Sequence, residues 1–144
     1  MDIRDDPFDL ARFVQAQEGC HDEALAEIRA GRKRTHWSWF VLPQVAGLGS
    51  SAMSQRYAIS GLAEARAYLA HPVLGARLRE CVAAMNAHGG HRSAQAVLGD
   101  IDALKFRSCL TLFAKAAPDD ALFREGLRRF FEGRPDPVTL ELLG

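Results

Sequence analysis

The chain has 144 residues, of which 18 are basic, 18 are acidic and 48% are hydrophobic. This length fits one domain that buries roughly two-thirds of the surface of its unfolded chain. Because the formal net charge is zero, no overall positive field attracts the protein to nucleic acid. The three cysteines show no C-x-x-C spacing, and no long apolar segment is present. We therefore expect reduced thiols, no signal peptide or membrane span, and a cytoplasmic location.

Helix signals follow one another along the chain, and no alternating strand pattern competes with them. A first helix is expected before Gly19, and a second runs from Asp22 to Gly31 and presents Glu23 and Glu27 to solvent. Further helices are predicted at 51–57, capped by Ser51, 61–70, capped by Ser60, 72–88, 93–98, 100–117 and 119–131, before a terminal turn. The sequence therefore predicts an all-α, compact single-domain bundle of about seven to nine helices over residues 1–144.

The predicted helix 100–117 carries apolar side chains on two sides when it is plotted at about 100° per residue. One apolar stripe includes Phe106 and Phe113, whereas Ile101 and Leu104 lie on a different side. A helix that is apolar on two sides needs packing partners on both. We therefore expect this helix to lie at the centre of the bundle.

Residues 32–57 gather both tryptophans, three consecutive cations and a loop of glycine and serine. The run 37–43 is almost wholly apolar, so we expect it to be buried by its neighbours. The loop 47–51 offers backbone N–H groups and hydroxyls as hydrogen-bond donors. Cations followed by such donors favour an anion-binding site. The alternative explanation for Arg32 and Lys33 is electrostatic attraction to the C-terminus of the preceding helix.

No complete motif with a defined chemical mechanism occurs in the chain. Gly47-Leu48-Gly49 is only a fragment of a phosphate-binding loop. The five histidines lack the spacing of a metal site, so we expect neither a metal nor another cofactor. His36 differs from the other histidines because it joins the cations to the tryptophans, where burial would tune its ionisation. A structural role is the alternative for this histidine.

The stretch 32–57 predicts one wall of a composite pocket for a phosphorylated, nucleotide-like small molecule. Its expected ligand-binding residues are Arg32, Lys33, Trp37, Trp39, Gln44, Ser51 and Tyr57. The aromatic rings would form flat apolar walls, and the cations would face phosphate. The remaining side chains would orient a base or sugar by hydrogen bonds.

Polar residues of helix 100–117 would form the floor of this pocket, provided that the two segments meet. Asp102 and Lys105 lie one helical turn apart and can form an ion pair that faces protein. Asp102 would then act as a base while Lys105 holds charge, and His36 completes the candidate catalytic set. Ser108 would add a ligand contact. The alternative is that Asp102 only favours the helix N-terminus and points to solvent.

Three classes of function agree with these features. An enzyme or binding protein for a phosphorylated small molecule explains the grouping of aromatic, basic and Gly/Ser residues. A non-catalytic protein-interaction domain explains the missing motifs and the neutral charge. A protein that binds single-stranded nucleic acid could stack bases on the tryptophans, although the neutral charge disfavours it.

One string of the chain reads Arg32-Lys33-Arg34-Thr35-His36-Trp37-Ser38-Trp39-Phe40 and is followed by Pro43-Gln44. It resembles the signature of a bacterial family of small domains of unknown function that is often labelled calpastatin-like. Further strings that resemble this family lie at 6–10, 57–59, 68–75 and 104–113, so the resemblance covers nearly the whole chain. It implies a compact all-helical domain with no established reaction.

The calpastatin label does not fit the composition. Inhibitory segments of calpastatin are disordered, whereas a chain that is nearly half hydrophobic can build a core. The chain also departs from the family pattern at Ile101 and Ala103, where relatives tend to carry proline and an acidic residue. This departure leaves Asp102 as a single carboxylate rather than one of a pair.

Overall fold

Ten α-helices form within residues 5–144, the part of the chain that the computed structural model describes. They are α1 (Ala11–Gln17), α2 (His21–Ala30), α3 (Ser38–Val41), α4 (Ala52–Arg56), α5 (Leu62–Ala70), α6 (Leu74–Asn86), α7 (Ala94–Leu98), α8 (Asp100–Ala116), α9 (Ala121–Phe131) and α10 (Pro137–Leu143). An isolated parallel β-bridge joins Val45 to Ile59. The all-α prediction is confirmed. The expected seven to nine helices are slightly too few, because short α3 lies in the apolar run and α10 replaces the terminal turn.

Helix α8 lies at the centre of the bundle and packs against α5, α7, α9 and α10. Every residue from 108 to 113 is buried, so this stretch of the helix is covered on all sides. The expectation for its first turns is wrong in part, since Ile101 is 73% exposed and Leu104 is 65% exposed. The neighbouring helices cover only one side of α8 there. The start of α8 therefore reaches the surface, while residues 108–113 are buried.

A chain of aromatic rings connects α8 with three other helices. Phe13 of α1 lies 5.1 Å from Tyr68 of α5, measured between ring centroids. Tyr68 lies 5.5 Å from Phe113 of α8, which in turn lies 5.7 Å from Phe123 of α9. All four side chains are fully buried. Burial raises the pKa of Tyr68 above its ordinary value, and its hydroxyl accepts a hydrogen bond from Gln17.

Capping side chains begin four of the ten described helices, at Ser51, Ser93, Asp120 and Asp136. Ser51 accepts a hydrogen bond from the Ser54 N–H at the start of α4. Gly31 ends α2 in the left-handed conformation, at φ 81°. The expected cap at Ser60 is wrong. Its backbone N–H instead donates to the carboxylate of Glu64, at 2.9 Å. A side chain from the first turn of α5 therefore binds the backbone ahead of this helix, in place of the expected serine cap.

The three cysteines carry free thiols, with Cys81 and Cys109 buried and Cys20 partly exposed. Burial raises the pKa of Cys81 to about 12 and also raises the pKa of Cys109. Both thiols are therefore protonated at neutral pH and pack as small apolar groups. No helix within residues 5–144 combines the length and apolar content that crossing a membrane requires.

Candidate functional site

Two lysines share one carboxylate where the loop after α2 meets the start of α8. The Nζ atom of Lys33 lies 2.9 Å from Oδ2 of Asp102, and the Nζ atom of Lys105 lies 3.4 Å from Oδ1. The three side chains are only 8%, 17% and 20% exposed for Lys33, Asp102 and Lys105. Segments 32–57 and 102–108 therefore meet in space. The ion pair expected within α8 is present, and Asp102 faces protein rather than solvent.

Each of these lysines also lies over the face of an indole ring. The Nζ atom of Lys33 is 5.0 Å from the ring centroid of Trp37, and that of Lys105 is 5.0 Å from the centroid of Trp39. The negative face of an indole attracts a cation at this distance. Trp37 is 2% exposed, whereas Trp39 is only partly buried. The aromatic faces and the carboxylate together fix the two ammonium groups.

The environment of Asp102 favours its ionised form. Burial by itself raises the pKa of this carboxyl, but the hydrogen bond from Lys33 and the charges of Lys33 and Lys105 outweigh burial. The pKa therefore lies below its ordinary value. A carboxylate with a lowered pKa is a weak base, so it accepts a proton poorly at neutral pH. This geometry suits a counter-ion that orients two lysines better than it suits the general base expected from the sequence.

A small cavity of about 90 Å³ opens beside the lysines. Its lining residues are Lys33, His36, Trp37, Ser38, Trp39, Asp102 and Lys105. Ser38 is 3% exposed, and its Oγ atom has no hydrogen-bond partner of normal geometry within the described residues. Ser38 nevertheless contributes to the lowered pKa of Asp102, so its hydroxyl lies beside that carboxylate at the cavity. Sequence reasoning missed Ser38, although it is the one hydroxyl within the apolar run 37–43.

Trp39 also lines a second cavity, which measures about 200 Å³. The other residues around it are Gln44, Val45, Ala46, Gly47, Gly49, Ser54, Gln55, Tyr57 and Ala58. The bridge between Val45 and Ile59 fixes the backbone on one side of this cavity. The Ala46 N–H donates to the Ile59 carbonyl at 2.8 Å, and the Ile59 N–H donates to the Gln44 carbonyl at 2.9 Å. The two cavities therefore share one indole ring, with cations beside one of them and backbone groups beside the other.

The remaining candidate residues fall into two groups. His36 is exposed and lies at the rim of the lysine cavity. Arg32, Ser51 and Ser108 line neither cavity. Arg32 is exposed, Ser51 caps α4, and the Oγ atom of buried Ser108 lies 2.8 Å from Oγ1 of Thr139 in α10. Ser108 faces α10 because six positions along an α-helix correspond to a rotation of roughly 600°, which places it on a different side of α8 from Asp102.

Glu27 is the main residue that sequence reasoning misplaced. The side chain was expected in solvent, yet the residue is only 8% exposed. Its Oε1 atom accepts hydrogen bonds from the backbone N–H groups of Arg34 and Thr35, at 2.7 and 3.0 Å, and from Nε1 of Trp37, at 3.0 Å. The Thr35 hydroxyl donates to Oε2 at 2.6 Å. The one signal in the sequence is that Glu27 follows buried Ala24 by three positions, at the edge of the buried face of α2.

Four hydrogen bonds make the ionised form of Glu27 more favourable in the folded protein. Burial by itself raises the pKa of this carboxyl, but the hydrogen bonds from Thr35, Arg34 and Trp37 lower it from 4.5 to about 2. Because the folded-state pKa lies below the unfolded value, Glu27 contributes stability that is present above about pH 5. This contribution is lost as the pH falls toward 2.

We expect Glu27→Gln to lower the free energy of unfolding by on the order of 2–3 kcal/mol at pH 7. The loss should be less than half as large at pH 3, since part of the contribution of Glu27 has already gone there. Urea unfolding of both proteins at the two pH values measures this difference. Glu23→Gln, an exposed change on the same helix, should have little effect at either pH. An equal loss at pH 3 and pH 7 would contradict the prediction.

Comparison with known proteins identifies the family. Residues 7–143 match the model of a family described as protein of unknown function, DUF1810, and the chain belongs to that family. A crystal structure of a conserved hypothetical protein from Mycobacterium tuberculosis is similar, with 48% sequence identity and a TM-score of 0.93. The match covers 96% of this chain and 98% of that chain. No match was found among proteins with curated descriptions.

The comparisons confirm the resemblance to a family of unknown function, whereas the calpastatin-like label is not confirmed. Within residues 5–144, no group of three or more histidine, cysteine, aspartate or glutamate side chains is placed to hold a metal ion.

Proposed function

We propose that the protein binds a phosphorylated, nucleotide-like small molecule on both sides of Trp39. The phosphate lies in the lysine cavity, and the flat ring lies in the second cavity. The observation that carries this proposal is that the Trp39 indole lines both the lysine cavity and the second cavity. A ligand that joins an anion to an aromatic ring matches this pair of environments.

The lysine cavity has the charge and size for a phosphate group. Lys33 and Lys105 carry two positive charges against the single negative charge of Asp102. The excess positive charge lies among poorly exposed side chains, where electrostatic attraction is stronger than in bulk water. A volume of about 90 Å³ suits a small anion rather than a ring. The Ser38 hydroxyl supplies an additional hydrogen bond.

The second cavity has the features of a ring site. Trp39 offers an indole face, and Tyr57 is buried against Phe13 and Phe40 with ring centroids 5.7 and 5.3 Å away. Rigid aromatic walls of this kind favour stacking with a planar ligand. The Gln44 amide can donate to and accept from the polar edge of a base. Exposed Gly47 and Gly49 border the same cavity.

Binding is supported more directly than turnover. The lowered pKa of Asp102 makes it a poor proton acceptor at neutral pH, and both of its oxygens are already paired with lysines. We therefore propose a binding protein as the primary function, in which Asp102 orients the cations.

A protein-interaction domain is the second candidate, and one observation favours it. Ile101 and Leu104 are large apolar side chains that are 73% and 65% exposed beside Asp102. Exposed apolar groups next to one another can mark a contact with another protein. Within the described residues their side of α8 carries no packed helix, and a partner bound there would lie next to the lysine cavity.

Thermal unfolding in the presence of AMP, adenosine and inorganic phosphate tests the proposed function. We expect AMP to stabilise the protein more than adenosine or phosphate alone, because it can occupy both cavities. A ligand at one hundred times its Kd stabilises a fold by about 2.7 kcal/mol. If none of the three probes raises the unfolding temperature, the nucleotide-like ligand is excluded in favour of the interaction domain.

Two variants test which side chain binds the phosphate of AMP and which binds its ring. Lys105→Met should weaken AMP binding by roughly 10- to 100-fold, because a hydrogen bond to a charged group is worth about 1.5–3 kcal/mol. Trp39→Ala should reduce the affinity for AMP to that for phosphate or below it, since the ring loses its partner and Lys105 loses the indole face beside it. Lys115→Met changes an exposed lysine on the same helix and is the matched control. Lys33 is less suitable, because removing this buried cation leaves Asp102 with weaker pairing and destabilises the fold.

A further inference from the structure

The segment that carries Lys33 is fixed at both of its ends. Helix α2 ends at Gly31, and the chain then turns back so that residues 34–37 lie against the last turn of that helix. The Lys33 backbone N–H donates to the carbonyl of Val97 at 2.7 Å, which ties the segment to the end of α7. Glu27 holds the other end through four hydrogen bonds.

We propose that Glu27 is the positioning residue of the lysine cavity: it fixes the Trp37 indole and the backbone at residues 34–35, and thereby sets the place of Lys33 against Asp102. Glu27 does not line the cavity itself. The inference rests on the proposed function in treating this cavity as the binding site. Its test in the ligand-free protein is independent of that function.

The geometry explains how one carboxylate can control a distant ion pair. The Trp37 N–H donates to Glu27, while the face of the same ring lies 5.0 Å from the Nζ atom of Lys33. Fixing the N–H therefore fixes the direction of the ring face, and the ring face supports the ammonium group. A rotated indole would withdraw that support, and Lys33 would no longer be held 2.9 Å from Asp102.

A carboxylate is well suited to this task, since three donors converge on its Oε1 atom and a fourth reaches Oε2. A glutamine can keep a similar arrangement. Its carbonyl oxygen can accept the three N–H bonds, and its amide can donate to the Thr35 hydroxyl, which also accepts hydrogen bonds. Aspartate keeps the charge but is one methylene shorter, so it cannot reach all four donors at once. Glu27→Gln therefore removes the charge of residue 27 and keeps its hydrogen bonds, whereas Glu27→Asp keeps the charge and loses part of the hydrogen bonding.

The ionisation of Asp102 reports on the position of Lys33. Loss of the negative charge at Glu27 by itself would favour ionised Asp102, because like charges repel each other. Displacement of Lys33 would have the opposite effect, because Lys33 stabilises the carboxylate by a hydrogen bond and by its charge. The two explanations therefore predict shifts of opposite sign in the pKa of Asp102.

The experiment is a titration of side-chain carboxyl groups by carbon-13 NMR in the ligand-free protein, with Asp102→Asn used to assign the Asp102 resonance. We expect the pKa of Asp102 to rise toward its ordinary value in Glu27→Ala and Glu27→Asp. In Glu27→Gln it should stay as low as in the wild type or fall further. His36→Ala serves as a control, since His36 is the other ionisable group around the cavity besides the two lysines.

The indole N–H resonances give a second measurement. We expect slow hydrogen exchange at Trp37 in the wild type and in Glu27→Gln, and fast exchange in Glu27→Ala. Partly exposed Trp39 provides the internal reference. If Glu27→Ala does not fold, Glu27→Asp carries the test. An unchanged pKa of Asp102 in a folded Glu27→Ala or Glu27→Asp would overturn the proposal. A wild type that fails to bind AMP counts against the proposed function alone.

Discussion

Replacing Phe113 with alanine is expected to lower the free energy of unfolding by roughly 3–5 kcal/mol. Phe113 is fully buried in the central helix α8 and contacts rings on both sides, Tyr68 of α5 and Phe123 of α9. Truncation removes apolar contact area and leaves a cavity, which the surrounding helices cannot close without moving several buried rings. Urea unfolding followed by circular dichroism measures the loss.

Leu104→Ala is the matched control for this prediction, because it removes a large apolar side chain from the same helix. Leu104 is 65% exposed, so the expected change is within about 0.5 kcal/mol. A loss below about 1 kcal/mol for Phe113→Ala would show that the packing of this ring contributes little to the stability of the core. Equal losses for the two variants would show that burial does not determine the cost.

Much of the fold was predictable because its helices depend on local signals in the sequence. Apolar spacing and capping residues act within a few positions of the chain, and they identified most of the helices and the central role of α8. Periodicity shows which side of a helix is apolar, but it does not show how far the neighbouring helices extend. Ile101 and Leu104 were therefore assigned to a packed side that lies at the surface.

Part of the candidate site was also visible in the sequence. Lys33, Trp39 and Asp102 were expected in one pocket, and they lie together. Glu27 was misplaced because its partners are backbone N–H groups and an indole N–H, which no pattern of residue types reveals. Ser108 was included because it lies in the stretch 104–113 that resembles the family, yet it bonds to Thr139 of α10. Tertiary hydrogen bonds decide both cases.

The place of α8 explains why the site can be rigid. Residues 108–113 of this helix are buried on all sides, while its first two turns reach the surface and carry Asp102 and Lys105. A carboxylate near a helix N-terminus is also favoured by the helix dipole. Binding groups on such an anchored element keep their geometry better than groups on a loop. The loop side of the site needs its own anchor, and that is the role proposed for Glu27.

A second anchor fixes the opposite wall of the site. The guanidinium of Arg12, in α1, donates to the carbonyl of Arg56 at 2.8 Å and to the carbonyl of Ala58 at 2.9 Å. It also pairs with the carboxylate of Glu64 in α5, at 2.9 Å. The side chains of Arg12 and Glu64 are 13% and 4% exposed. Ala58 lines the second cavity, so this network connects the core with the proposed ring site.

Replacing Arg12 with methionine is expected to cost roughly 3–5 kcal/mol, because the change leaves the buried charge of Glu64 without its partner. Methionine keeps most of the apolar stem, so the loss reports mainly on the guanidinium. The double variant Arg12→Met, Glu64→Gln should recover part of the stability, since it removes the unpaired charge as well. Urea unfolding of the single and double variants measures the coupling. If the double variant is less stable than Arg12→Met by the full cost of Glu64→Gln alone, the two residues act independently and the network does not hold the wall through its ion pair.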